Sequence, residues 1–88
     1  MPKQKLSPPI IIGDVKYFKY IIIWEDIVGD STIADFNGLE CATIYTEAYI
    51  YKKTKDYVYS FASYDKKDVS FGDRNVYPRS IIKSLKRI

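Results

Sequence analysis

TIYTEAYIYKKTKDYVYSF, residues 43–61, is the stretch on which the fold turns. It holds Tyr45, Tyr49, Tyr51, Tyr57 and Tyr59 on either side of a basic centre, Lys52-Lys53-Thr54-Lys55. Side chains alternate between faces along a strand. In residues 41–52 this puts Ala42, Ile44, Ala48 and Ile50 on one face, and Thr43, Tyr45, Glu47, Tyr49 and Tyr51 on the other. In residues 57–64 Val58, Ser60 and Ala62 share a face, opposite Tyr57, Tyr59 and Phe61. The two runs read as a β-hairpin around Lys53-Thr54-Lys55-Asp56. That turn lacks the Asn-Gly signal of a two-residue hairpin, so it leaves the register open.

Upstream, residues 15–24 (VKYFKYIIIW) are β-branched and aromatic throughout and read as a strand. Phe18, Tyr20, Ile22 and Trp24 share one face; Val15, Tyr17, Lys19, Ile21 and Ile23 share the other. Both faces are apolar towards the C-terminal half, which implies burial on both sides there. Residues 1–14 read as an extended arm, because Pro2, Pro8 and Pro9 fix φ and remove amide donors. Gly13-Asp14 marks a turn into the body, taken as residues 15–88.

Residues 25–39 are a connection. Asp30, Ser31 or Thr32 is placed to cap a short helical turn, with Ile33 and Phe36 on its inner side. Residues 65–75 read as a polar loop. Residues 76–88 hold a short strand, a proline-led turn and an apolar ending, read as a closing strand in preference to a helix. Four or five strands with little helix predict an all-β fold, a small curved barrel or roll.

The chain has 88 residues, enough for one domain. Size scaling gives a folded surface of roughly 5,400 Å² against about 15,000 Å² unfolded. Cys41 is the only cysteine, which excludes an internal disulfide framework. It reads as a reduced, half-buried thiol of an intracellular protein. The longest apolar run, Ile21-Ile22-Ile23-Trp24, is far short of the roughly 20 residues a membrane helix needs. Prolines interrupt the N-terminal apolar run, against a secretory signal. The net charge of +3 is too small by itself to argue for nucleic acid.

The ending Val76-x-Pro78-x-x-Ile81-Ile82-x-x-Leu85 resembles the last strand, 3₁₀ turn and closing strand of SH3-like barrels. A wider pattern runs Ile21-Ile22-Ile23-Trp24-Glu25-Asp26, Asp30-Ser31, Cys41-Ala42-Thr43, Asp56-Tyr57-Val58, Ala62-Ser63 and Val76-x-Pro78. It is similar to a loose group of small proteins encoded by tailed bacteriophages, over about residues 20–88. The resemblance implies a phage origin and an SH3-like five-stranded barrel or roll carrying an extended N-terminal arm. It implies no activity. The chain lacks the N-terminal aromatic-acidic motif and the paired tryptophans of signalling SH3 domains, so proline-peptide recognition does not carry over.

Histidine is absent, which removes Ser-His and Cys-His nucleophile pairs and the commonest zinc ligand. Cys41 stands beside Glu40, an unfavourable neighbour for a thiolate, and reads as a small core residue. Glu25, Asp26, Asp30 and Asp35 cluster around Gly29 but do not fit a calcium loop, and read as caps and turn formers. Gly29, Gly38 and Gly72 are scattered singles and form no phosphate loop. The expectation is therefore a non-enzymatic protein with no cofactor, no metal, no small-molecule substrate and no membrane attachment.

The tyrosines remain. A small barrel cannot bury both hairpin faces, so Tyr45, Tyr49, Tyr51, Tyr57 and Tyr59 should form an outer wall, with Lys52, Lys53 and Lys55 beside it. Such a wall can simply stiffen the hairpin by cross-strand pairing. It can be a protein interface, since tyrosine offers large area with a polar tip. It can also stack single-stranded nucleic acid, although Glu47 in the row argues against that. The reading favoured by the sequence is a protein-binding module, a phage accessory or anti-defence factor occupying a host protein in the host cytoplasm. The alternative is a virion or assembly protein whose arm docks on a neighbouring subunit of its own oligomer.

Overall fold

The computed structural model describes residues 5–88. Its elements are β1 (Ile10–Ile12), β2 (Val15–Tyr17), β3 (Lys19–Asp26), β4 (Ala42–Lys53), β5 (Tyr57–Phe61), β6 (Ser63–Asp65), β7 (Ser70–Gly72), β8 (Asn75–Pro78), a 3₁₀ turn (Arg79–Ile81) and β9 (Ile82–Arg87). Five strands form one antiparallel sheet in the order β8-β5-β4-β3-β9. Two hairpins, β1-β2 and β6-β7, make separate two-stranded sheets. The fold is mostly β, as the residue pattern implies.

The inner face of the large sheet follows the expected alternation. Ile22 and Val58 are fully buried, and Ala48, Ile50 and Tyr77 complete the cluster. Tyr20, Trp24, Ile81, Ile82 and Leu85 pack around it. The Trp24 indole N–H donates to Thr46 Oγ1 at 3.0 Å, which satisfies the one polar atom of a large side chain placed at the core edge. The ending behaves as read: Pro78 stops β8, the 3₁₀ turn brings Ile81 onto the core, and β9 returns beside β3.

The expected closed barrel does not form; the sheet is open, with β8 and β9 as its edges. Pro78 removes a ladder donor from one edge, and the exposed lysines Lys83 and Lys86 line the other. The second apolar face is covered in another way. The strand read over residues 15–24 breaks at Phe18, so that β2 leaves the line of β3 and pairs with β1. Gly13 and Asp14, at φ 57° and 66°, form the tight turn between them. Positive φ at both central residues is the geometry whose twist suits a two-residue hairpin. The arm thus supplies a strand of the body, and further back the Ser7 N–H donates to the Ile88 carbonyl at 3.1 Å. Its first four residues lie outside the described part of the chain.

The second hairpin arises in the same manner. The strand read to residue 64 bends at Ala62, and the loop read over residues 65–75 contains β7, which folds back on β6. Ile12, Tyr17 and Phe61 then form a second buried cluster, packed against by Ile10, Tyr49 and Phe71. The two hairpin tips meet: a Cβ at Gly13 would stand 2.9 Å from Val69 Cγ1, so a side chain there would displace Val69 as well as strain a backbone at φ 57°.

Residues 27–41 carry no helix or strand, against the expected helical turn. The Asp30 carboxylate accepts from the Thr32 N–H at 2.9 Å, and Asp35 accepts from the Asn37 N–H at 3.0 Å. Both carboxylates close local turns, and no helix continues from them. Nucleating a helical turn is unfavourable without a face to bury, and Ile33 and Phe36 have no wall to pack on. Cys41 ends this segment and is exposed, not half-buried as expected, because β4 begins only at Ala42. The projecting segment also helps explain a total surface of 7047 Å², well above the value scaled from size.

Ile12 is the test of the arm's place in the core. Ile12→Ala should cost about 3 kcal/mol in urea unfolding, as for a buried aliphatic truncation. A value near zero would mean that the arm only lies against the surface.

Candidate functional site

Alternation along β4 sends Thr43, Tyr45, Glu47 and Tyr49 to the outer face, but their surroundings differ. Tyr49 stacks on Phe61 with ring centroids 5.6 Å apart and belongs to the second cluster. Tyr51 stacks on Tyr17 at 6.0 Å and meets Phe71 edge-on at 5.1 Å. Phe71 in turn lies 4.7 Å from Phe61. Tyr49 is therefore covered by packing from the second cluster, and one side of Tyr51 is flanked by Tyr17 and Phe71 of the chain's own hairpins, while Tyr51 stays 46 % exposed. Tyr45, 67 % exposed, sits opposite Ile23 at the other end of β4, away from these rings.

A β-bulge then decides the place of the lysines. The β4-β5 register pairs Ile50 with Ser60 but Lys52 with Tyr59, leaving Tyr51 as the extra residue. Beyond it the alternation is reversed. Lys52, which uninterrupted alternation would put on the Ile50 face, swings to the outer side, with Nζ 4.6 Å from the Tyr59 ring centre. Lys53 goes the other way, 5.1 Å from the Tyr20 ring centre. Lys55 stays in the exposed turn. That turn is held by the Thr54 N–H donating to the Tyr57 carbonyl at 2.8 Å and by the Tyr57 N–H donating to Thr54 Oγ1 at 2.9 Å. Arg79 Nε, donating to the Thr54 carbonyl at 2.8 Å, ties it to the 3₁₀ turn.

Between the outer side of β5-β8 and the β6-β7 hairpin lies a cleft of about 530 Å³. Tyr51, Tyr59, Phe71 and Val76 supply its apolar surface, and Lys52 and Arg74 its charge. No carboxylate lines it. Tyr57 is half-exposed beside Tyr59, 6.4 Å between centroids, and extends the aromatic surface towards the turn. Of the residues expected at a binding surface, Tyr51, Lys52 and Tyr59 are brought together with Tyr57 adjacent. Tyr45, Tyr49, Lys53 and Lys55 are not part of this cleft. Phe71, Arg74 and Val76 went unseen in the sequence. Phe71, an isolated aromatic inside a polar run, is the one signal that pointed to them.

The arrangement fixes what the cleft can do. Its rings are held by edge and stacking contacts, so a ligand meets a surface that is already ordered. Its two cations favour an anionic or hydrogen-bond-accepting ligand. It has no nucleophile paired with a base. Among the described residues no three His, Cys, Asp or Glu side chains converge as metal ligands, and no helix is long and apolar enough to cross a membrane. Comparison with protein-family models, with curated proteins and with solved structures finds no match.

Tyr17 reports on the covered part of the wall. Burial, and secondarily the proximity of Tyr51, raises its phenol above the ordinary value of 10.0. The protonated ring is favoured in the folded state, so its contribution is complete below the unfolded value and is lost as pH rises past it. Wild type should therefore lose stability faster than Tyr17→Phe once pH passes 10.0. Parallel denaturation profiles for the two proteins would mean that the phenol is open to water.

Proposed function

We propose that the chain is a non-enzymatic protein-binding module of SH3-like ancestry, encoded by a tailed bacteriophage, that occupies a host protein through the aromatic-basic cleft. One observation carries the reading: a preformed cleft of about 530 Å³ with aromatic walls, two cations and no carboxylate. Rigid aromatic side chains give contact area at small entropic cost, and a pocket of this size accepts one anchoring side chain of a partner. The SH3-like reading is supported by the succession of β8, 3₁₀ turn and β9, in an open form of the sheet. The phage origin rests on the resemblance of residues 20–88.

A protein ligand suits this cleft better than nucleic acid does. A single strand needs a groove along which successive bases stack and phosphates find cations. Here the β6-β7 hairpin bounds one side, Lys53 lies on the Tyr20 side of the sheet, and Tyr45 stands at the far end of β4. Against the arm-lacing alternative, the last part of the arm, Ile10–Ile12, pairs with β2 in the chain's own body.

The test compares tagged wild type with two variants in host lysate. Lys52→Glu with Tyr59→Ala should lose a captured protein at least tenfold, while Tyr45→Ala, outside the cleft, should keep it. Equal capture by the cleft variant and wild type would refute the assignment.

A further inference from the structure

The segment between β3 and β4 has a composition unlike the rest of the chain. From Glu25 to Cys41 every residue is exposed. The stretch contains Glu25, Asp26, Asp30, Asp35 and Glu40 and not one lysine or arginine. Taking these five acids from the chain's eleven leaves six against fourteen basic residues elsewhere. Five large apolar side chains on the same segment are exposed, Ile27 at 87 %, Ile33 at 106 % and Phe36 at 83 % the most, with Val28 and Leu39 less so. Exposed apolar groups gathered on one projecting segment mark an interaction site. The cleft presents the converse: aromatic walls, Lys52 and Arg74, and no carboxylate.

The segment does not enter the cleft of its own chain, and the cleft's far, cationic end lies out of reach. It springs from the Asp26 and Ala42 ends of β3 and β4, whereas Lys52 lies at the other end of β4. Ten residues of strand from Ala42 to Lys52 span about 33 Å. Phe36 precedes Ala42 by six residues, which reach at most about 21 Å when fully extended. At the Lys52 end the complement comes from another molecule.

We propose that the cleft of one copy receives the β3-β4 segment of a second copy. Phe36 enters between Tyr59, Phe71 and Val76, and Asp30 and Asp35 face Lys52 and Arg74. The two surfaces are different patches of the same chain. Used once per pair, the contact leaves one free segment and one free cleft and builds head-to-tail strings or rings; used reciprocally by two copies, it closes a two-fold dimer. The charge part of the contact lies at the surface and weakens with salt. This inference rests on the cleft being a protein-binding site, for which a second copy competes with a host protein.

Light scattering on size-separated protein tests it. The mass of wild type should rise above 10.3 kDa with concentration and fall back at raised salt. A segment variant, Ile33→Ser with Phe36→Ser, and a cleft variant, Lys52→Glu with Arg74→Glu, should each stay monomeric. These side chains are all exposed, so the variants should fold, and matching circular dichroism and melting checks this. Mixed in equal amounts, they should form a species of twice 10.3 kDa, because one working segment and one working cleft remain. A mixture that stays monomeric, or a segment variant that associates like wild type, overturns the proposal. So does association that appears only when a single-stranded oligonucleotide is added. If wild type is a strict monomer while Lys52→Glu with Tyr59→Ala still loses its lysate partner, this proposal falls and the host-protein reading stands. If both Lys52→Glu with Arg74→Glu and Lys52→Glu with Tyr59→Ala lose assembly but retain that partner, the second copy is the ligand and the host-protein reading falls.

Discussion

The structure depends on one constraint: a hairpin with two apolar faces must bury both. The inner face of β4-β5 is covered by the large sheet itself, through Ile22, Ala48, Ile50, Val58 and Tyr77. The outer face carries Phe61, which is almost completely buried, and a sheet of five strands has nothing left to place over it. The chain meets this by bending strands off the sheet. Breaks at Phe18 and Ala62 turn β2 and β6 out of line, and each pairs with a short partner strand. Burying rings such as Tyr17 and Phe61 removes large apolar areas from water. That gain replaces barrel closure as the means of completing a small fold.

The same bends create the cleft. Phe71 and Arg74 are in position only because β7 folds back on β6 and the chain then re-enters the sheet as β8. The bulge at Tyr51 completes the site by exchanging the faces of the two lysines, so that Lys52 meets Tyr59. One extra residue in a ladder thus determines which cation reaches the aromatic surface. Packing places the rings, the bulge places the charge, and the recognition chemistry follows from both.

Much of this was legible in the sequence. Strict alternation of Ala48 and Ile50 against Tyr49 identified the two faces of β4, and Pro78 followed by Ile81-Ile82 identified the final turn and strand. The arm's strand is masked in the sequence because Pro8 and Pro9 argue for an isolated extended segment, although Ile10-Ile11-Ile12-Gly13-Asp14-Val15 is a β-branched run split by a two-residue turn signal. The bulge was not legible, since it depends on the partner strand's register and no turn residue announces it. The connector was misread because Asp30 and Asp35 cap turns as readily as helices, and only the absence of a packing wall decides between them. The wall of five tyrosines was an overcount for a similar reason: alternation assigns a face but does not say what later covers it.

The second buried cluster requires the β1-β2 hairpin to be part of the folded core. Native-state hydrogen exchange resolved by residue tests this most directly, because each amide reports the free energy of opening its own segment. The ladder amides of β1 and β2 should exchange as slowly as those of β4 and β5, with Ile12 and Phe61 opening in one cooperative step. Rapid exchange across Ile10–Tyr17 while β4 and β5 stay protected would contradict it. The arm would then be a loose appendage and the outer aromatic face would be open to water.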